Sequence, residues 1–357
     1  MTTTTSHHLE QDKQALGRRI ERFIEDRGSD SFERLALDLF RFQYSALPAL
    51  QRYWDSFGVG PETTSDWTSI PPVGLSVFKR YELFCGSEVV ERFTTSGTSG
   101  RGRGSSLFDG QDLQLMHRAI LVNASTSLFR DGQHTRFLML VPSPQEAPQM
   151  IMAHGMARIA SCFGIGDPFY AVGSGRLLDD QALQALKVWT DQGSPITLIG
   201  GSFGFVNFME RMPDNCRLTL PPGSRLLDAG GFKGRSREVD RFEFMDMVED
   251  RFGIHRGNIF NLYGLTELAS QFYSLGQGSK QQPHWTRVRV VDPMSLKDVK
   301  PHQQGVPLLI DLANVSRPMA VITDDIAEAA PDGGFHLLGR ASGSAPRGCS
   351  LNLETLR

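Results

Sequence analysis

At 357 residues, with 40% hydrophobic and 22% charged positions, the chain has the composition of a folded globular protein and the length to bury a large core. With 37 basic against 40 acidic residues its net charge is −3, which excludes the basic footprint of a nucleic-acid or anionic-membrane binder. No run approaches the ~18 apolar residues that span a bilayer, and the opening Met-Thr-Thr-Thr-Thr-Ser lacks the basic and apolar regions of a secretory signal, so a cytoplasmic protein is expected.

Residues 9–55 carry helical periodicity, through Leu16, Ile20 and Phe23 and then Phe32, Leu35, Leu37, Leu39 and Phe40, and read as a packed helical arm. Ahead of it His7 and His8 read as a disordered tail rather than a metal clamp. Residues 63–73, polar and ending Ile-Pro-Pro-Val, read as a linker into 78–84.

Residues 93–106 then run Phe-Thr-Thr-Ser-Gly-Thr-Ser-Gly-Arg-Gly-Arg-Gly-Ser-Ser. Hydroxyls at Thr94, Thr95, Ser96, Thr98 and Ser99 alternate with Gly97, Gly100, Gly102 and Gly104, where the backbone can approach a ligand closely. Successive N–H groups and hydroxyls in such a loop converge on phosphate oxygens, and Arg101 and Arg103 add charge-assisted donors. The apolar entry at Phe93 and the helical pattern after Asp109 predict a loop between a buried strand and a helix. A solvated Gly/Ser turn is the plainer alternative for this run taken alone.

Beyond the loop, strand and helix alternate. Residues 137–141 and 196–199 are short apolar runs, the second stopped by Gly200 and Gly201, while 150–163, 179–191 and 237–252 are helical. Residues 170–172, Leu226 with Leu227, and 259–263 supply further strands, so the repeat predicts a layered α/β fold. From His284 onward, segments at 288–291, 306–312, 319–323 and 335–338 predict a smaller antiparallel β region. The Gly/Ser/Ala/Pro-rich tail after Arg340 is expected to be mobile as far as Leu351. This gives four expected divisions: a helical arm and lead-in over 1–90, an α/β nucleotide- and acyl-binding core over 91–283, a β-rich subdomain over 284–340 and a tail over 341–357.

Residues 261–267, Asn-Leu-Tyr-Gly-Leu-Thr-Glu, form the second motif. Together with Thr95 to Gly100, they resemble the adenylate-forming superfamily of acyl-CoA synthetases, luciferases and peptide-synthetase adenylation domains. Its phosphate loop reads Thr-Ser-Gly-Thr-Thr-Gly, usually followed by Pro-Lys; here Ser99 replaces the second Thr, Gly102 the Pro and Arg103 the Lys. The resemblance implies that the loop binds ATP, that Tyr263 stacks on adenine, that Gly264 allows a sharp exit from its strand, that Thr266 donates to the α-phosphate and that Glu267 holds Mg²⁺. Gly230 and Gly231 fall at the family's nucleotide-edge turn. Asp325 matches its ribose-binding Asp, with Asp324 as a surface residue, and Arg340 its ribose- or phosphate-binding Arg. The implied fold is the N-terminal-type adenylate-forming α/β fold without the C-terminal lid domain. With no lid lysine, Lys233, Arg103 and Lys79 are the candidate cations for the leaving pyrophosphate.

Residues 77–82, the Gly231-Phe232-Lys233-Gly234 turn and the ending Pro346-Arg347-Gly348-Cys349-Ser350-Leu351 narrow this to a resemblance to the LuxE family of acyl-protein synthetases. That implies a fatty acid substrate, acyl transfer to Cys349 and an acyl-reductase partner. Arg347 beside Cys349 favours its thiolate. Cys85, Cys162 and Cys216 are far apart and read as packing residues rather than a zinc or disulfide framework. His154 and Gly200 to Gly204 are candidates for lining an acyl pocket, with a core histidine the alternative for the first. An adenylating ligase that passes acyl-AMP to an external amine or thiol, and a non-catalytic nucleotide-binding module, are the competing functions.

Overall fold

The computed structural model describes the backbone of residues 2–95, 104–230 and 239–340. Backbone contacts divide it into two compact units: Met1–Val122, Gly264–Gln271 and Gln281–Ser344 make the first, and Asn123–Tyr263 with Phe272–Lys280 the second. These units cut the chain differently from the linear division expected above. The helical arm and the late β region share the first unit, and residues 91–283 are divided between the two.

Unit 1 starts with the arm: α1 (Thr2–Glu25), α2 (Phe32–Ala46) and α3 (Pro48–Asp55). His7 and His8 belong to the first turns of α1 and are not a separate tail. Ser31 caps α2 by accepting the Arg34 N–H, and Phe32, Leu35, Ala36, Leu39 and Phe40 recur at helical spacing on its buried face. α1 is fixed to the rest of unit 1 by a fully enclosed ion pair between Lys13 and Asp109. Gly17 allows the close approach of Gln111, which occupies the space a Cβ would need.

Val73, read from the sequence as the end of a linker, opens β1 (Val73–Gly74), which pairs in parallel with a late strand through Val73 and Val321. β2 (Glu91–Thr94) and β3 (Ser105–Phe108) form an antiparallel hairpin with Thr94 opposite Ser105, packed through Phe93 on Phe108. α4 (Gly110–Ser127) follows, started by Asp109, whose carboxylate accepts the Asp112 N–H.

Unit 2 is built on β4 (Arg136–Leu140), α5 (Ile151–Phe163), β5 (Phe169–Tyr170), the small ribbon of β6 (Val172–Gly173) and β7 (Arg176–Leu177), α6 (Asp179–Asp191), β8 (Ile196–Gly201), α7 (Ser202–Arg211), β9 (Arg225–Ala229), α8 (Arg241–Phe252), β10 (Ile259–Tyr263) and β11 (Phe272–Leu275). The sheet order is β11-β10-β9-β8-β4-β5, parallel except for β11. From β5 onward the five parallel strands follow the doubly wound order 2-1-3-4-5, with its switch point between β4 and β8. β8 does not stop at Gly200 as the glycine pair suggests; it runs through both glycines because a side chain at Gly200 would come within 2.7 Å of Leu140 Cβ. Helices and sheet enclose a core that includes Leu138, Leu198, Phe205, Phe208, Leu226, Phe244 and Ile259.

The chain returns to unit 1 with β12 (Thr286–Val291), β13 (Gln304–Asp311), β14 (Ala320–Ile322), β15 (Asp325–Ala329) and β16 (Phe335–Arg340). Four are linked in the order β14-β13-β15-β16, with β12 also on β13, all antiparallel; β1 on β14 is the exception to the antiparallel expectation.

Candidate active site

The hydroxyl-and-glycine run falls in the sequence between two paired strands, β2 and β3, instead of between a strand and a helix. A second strand intervenes before α4 because Ser105 to Phe108 continue the pairing with Glu91 to Thr94. The neck is closed twice: the Thr95 N–H donates to Gly104 O at 2.9 Å, and the Gly104 N–H donates to Thr95 Oγ1 at 3.0 Å. Thr95 therefore closes the neck through both its backbone N–H and its hydroxyl oxygen. A Cβ on Gly104 would lie 3.4 Å from Lys79 Cγ, which puts the Lys79 stem against the neck. Ser96, Gly97, Thr98, Ser99, Gly100 and Arg103 lie outside the described residues, as do Gly231, Lys233 and Cys349.

The second motif begins in unit 2 at the end of β10, where Tyr263 is 8% exposed, and continues in unit 1 from Gly264. Thr266 and Glu267 form a turn and are each 6% exposed. Two N–H groups just past it, on Ala269 and Ser270, donate to Asp311 Oδ2 at 3.0 and 2.8 Å; the Ser270 hydroxyl donates to Oδ1 at 2.8 Å. Trp285 Nε1 donates in turn to Ser270 Oγ at 2.9 Å. Burial pushes the Asp311 carboxyl above its ordinary value, opposed by the Ser270 hydroxyl and N–H, the Ala313 N–H and the Arg317 charge.

Among the described residues there is no group of three or more His, Cys, Asp or Glu that could hold a metal unaided. An enclosed Glu267 suits a hard cation of the Mg²⁺ type, which takes one or two carboxylates and completes its shell with water and substrate phosphates.

In the late sheet, Asp325 is 7% exposed while Asp324 is exposed. Asp325 lies in register directly opposite residue 340, so the two positions singled out by sequence for ribose or phosphate are cross-strand neighbours. The Asp332-Gly333-Gly334 turn that joins their strands has Gly333 at φ +82°, a conformation that favours glycine.

Unit 2 contains a polar row that no motif announces. Gly200, Asp228, Asn261 and Ser274 are register partners on β8, β9, β10 and β11 and so share one face of the sheet. The fully buried Asp228 accepts from Ser202 Oγ at 2.7 Å, Arg241 at 2.6 Å and Asn261 Nδ2 at 2.7 Å. Lys280, 4% exposed, contacts Asn261 Oδ1 and lies 2.7 Å from Asn261 O and 3.0 Å from Ser274 Oγ. Burial drives its amine well below the ordinary lysine range; the Asp228 charge opposes this and Arg241 assists it. Both ends of the Asn261 amide are therefore fixed, two residues before Tyr263. Gly230, at φ +92°, leaves this row by a turn that glycine favours. Ser202, at the start of α7, reaches Asp228 from beside the row, and Gly200 within it leaves room for Leu140.

The cysteines divide by environment. Burial pushes the Cys85 thiol up to about 12, which leaves it protonated and unreactive. Cys216 is partly buried, whereas Cys162 is exposed and is not the packing residue expected from sequence. His154 sits in the first turns of α5. A cleft of about 510 Å³ lined by Glu10, Lys13, Arg18 and Gln111 lies between α1 and the start of α4 and contains none of the motif residues. No described helix is long and apolar enough to cross a membrane.

Residues 8–356 match the acyl-protein synthetase family LuxE. The long-chain-fatty-acid–luciferin-component ligase of Vibrio harveyi is 23% identical over 335 residues, covering 90% of this chain and 86% of that protein. A crystal structure of 2-hydroxyisobutyryl-CoA ligase in the postadenylation state with 2-HIB-AMP matches with a TM-score of 0.64 and 16% identity, over 86% of this chain and 67% of that one. The O-succinylbenzoate coenzyme A synthetase of Bacillus subtilis, in complex with ATP and magnesium ion, matches with a TM-score of 0.51 and 15% identity, over 73% of this chain and 52% of that one. The α/β fold is that of the adenylate-forming ligases.

Proposed function

The chain belongs to the LuxE family of acyl-protein synthetases and is a ligase, and from that premise we propose that it adenylates a fatty acid and carries the acyl group on Cys349 to a reductase-like protein partner. In the first step a carboxylate oxygen attacks the α-phosphorus of ATP, the bond to the β-phosphate oxygen breaks, and acyl-AMP and pyrophosphate form. In the second the Cys349 thiolate attacks the acyl carbonyl, the carbonyl–oxygen bond to AMP breaks, and the thiol proton passes to solvent. A nucleophile on the partner then takes the acyl group and releases Cys349.

The observation that carries the reading is the register of Asp325 against Arg340, with Asp325 almost enclosed. A carboxylate in that position can accept both hydroxyls of a ribose diol, and a guanidinium at the facing position suits ribose or phosphate oxygens. Tyr263 supplies an apolar face for adenine, and Thr95 and the hydroxyls beyond it donate to phosphate. Thr266 donates to the α-phosphate, where charge builds as the pentavalent state forms. Mg²⁺ held through Glu267 would neutralise charge on the departing pyrophosphate. Lys79 at the loop neck is a candidate for the remaining positive charge, beside Lys233 and Arg103.

Pyrophosphate release is measured with a panel of carboxylic acids of increasing chain length, followed by intact-mass analysis of the protein. We expect release that depends on a long-chain acid and a thioester adduct on the wild-type chain. Cys349→Ala keeps the first turnover of pyrophosphate and loses the adduct. Full acyl transfer by Cys349→Ala to a small external thiol or amine, at the wild-type rate, favours the external-acceptor ligase instead.

A further inference from the structure

Behind the Glu267 turn, unit 1 contains buried polar side chains that the chemistry above does not use. Asn314 is fully enclosed. Its Nδ2 donates to Glu267 O at 2.9 Å and to Pro318 O at 3.1 Å; its Oδ1 accepts from the Ala269 N–H at 3.0 Å and from Arg317 at 2.8 Å. Both donors and both lone pairs of the amide are occupied, so only one orientation of the side chain satisfies the site.

Arg317 is 1% exposed, with its guanidinium carbon 3.6 Å from the Phe108 ring centroid. Besides its bond to Asn314 it donates to Leu107 O at 2.9 Å. Leu107 and Phe108 belong to β3, the strand that leaves the hydroxyl-and-glycine loop. One arm of the guanidinium fork thus holds the loop's exit strand, and the other holds the amide that grips Glu267.

Stability alone does not explain a charged fork in this place. Burial lowers the Arg317 pKa, with Asp112 and Asp311 opposing the shift, and a well-packed apolar side chain often serves as well as a buried ion pair. What the fork supplies is direction, through two bonds to two separate segments.

We propose that Asn314 and Arg317 are positioning residues for nucleotide activation, setting the backbone at Glu267 and the exit strand of the phosphate loop in one register. The proposal rests on the adenylation reading above. Loosening either residue relaxes both segments together.

The test compares Asn314→Ala, Arg317→Lys and Gln43→Leu in the full-length chain. Lysine keeps the charge at 317 but has no fork. Gln43 is the control, because its amide contacts only backbone in residues 314–319, with Nε2 among three carbonyls and Oε1 accepting the Met319 N–H, and leaves the Asn314 and Arg317 side-chain bonds intact. Amide hydrogen exchange is followed in 104–108 and 264–271, and the KM for MgATP is measured by pyrophosphate release. Asn314→Ala and Arg317→Lys are expected to speed exchange in both segments and to raise KM about tenfold, the lower range for removing a group that orients a ligand-binding residue. Gln43→Leu should lower the melting temperature with KM within about twofold of wild type. A KM rise in Gln43→Leu equal to that in Asn314→Ala, or faster exchange in only one segment, overturns the proposal. Wild-type protein without acid-dependent pyrophosphate release would sink the adenylation reading instead, and the exchange data would still report whether the two segments are coupled.

Discussion

Lys280→Met separates stability from activity at the polar row of unit 2. Methionine matches the apolar stem and removes an amine that contacts Asn261 Oδ1, Asn261 O at 2.7 Å and Ser274 Oγ at 3.0 Å. Leaving buried acceptors without donors costs about 1–3 kcal/mol each. Against this, the folded chain no longer has to bury an amine whose pKa is depressed mainly by desolvation. The unfolded chain keeps the ordinary lysine value near ~10.4. Between the folded value and that limit the unfolded state binds a proton that the folded state does not, so wild-type stability rises by up to about 1.4 kcal/mol per pH unit as pH increases. Below the folded value the burial cost is present in full. Near neutral pH the two effects oppose each other and the variants should melt within a few degrees; toward pH ~9–10 the lost hydrogen bonds remain and Lys280→Met should be the weaker by about 2 kcal/mol. Urea unfolding at a series of pH values measures the difference. Activity should fall at every pH, by up to about a hundredfold, because Asn261 and with it Tyr263 lose their fixed position and a displacement of ~1 Å carries that penalty. Parallel stability curves for the two proteins from pH 7 to 10 would refute the protonation argument, and full activity would refute the positioning role of the row.

Glu267→Gln, nearly isosteric, should cut pyrophosphate release about 10- to 100-fold and shift its magnesium midpoint upward; an unchanged rate at every magnesium concentration would remove the metal role. Lys13→Met leaves Asp109 buried without its cation and should cost about 3–5 kcal/mol. Burial pushes Asp109 upward but is outweighed by Lys13 and the Asp112 and Ser87 N–H groups, so its pKa is lowered on folding. The stability it supplies is complete above the unfolded value near ~3.9 and is lost as pH falls through the lower folded value. Acid unfolding of Lys13→Met, followed by circular dichroism, should therefore begin at higher pH than in wild type; coincident acid transitions would show that the pair contributes nothing.

The regular elements of unit 2 were legible because their patterns are local. Residues 137–141 and 259–263 read as buried strands, and 179–191 as a helix, from apolar runs and helical spacing that need no distant partner. The hairpin was missed because Ser105 to Phe108 becomes a strand only through Glu91 to Thr94, a pairing with no two-residue turn to mark it. Val73 was read as linker for the same reason, since its partner Val321 lies 248 positions away. β8 was ended too early because glycines usually break strands, whereas here the neighbouring Leu140 demands one.

The candidate site divides along a similar line. Residues that would touch the nucleotide, among them Tyr263, Glu267 and Asp325, stand in short motifs because one loop or strand end must present several groups to a single ligand. The groups that hold them have no such reason to be contiguous. Asp228, Asn261 and Lys280 come from β9, β10 and the segment after β11, and meet only through strand register. Asp311, Asn314 and Arg317 lie close in sequence, but the segments they grip begin more than 40 and more than 200 residues earlier. Each unit thus has its own buried polar support, made of side chains whose placement costs desolvation and is justified by the backbone positions they fix. That explains why Asn261 looks like an ordinary member of its motif in sequence, yet in the fold has an amide held at both ends, with its oxygen on Lys280 and its nitrogen on Asp228. Under the proposed adenylation, its contribution is to hold the strand end that carries Tyr263.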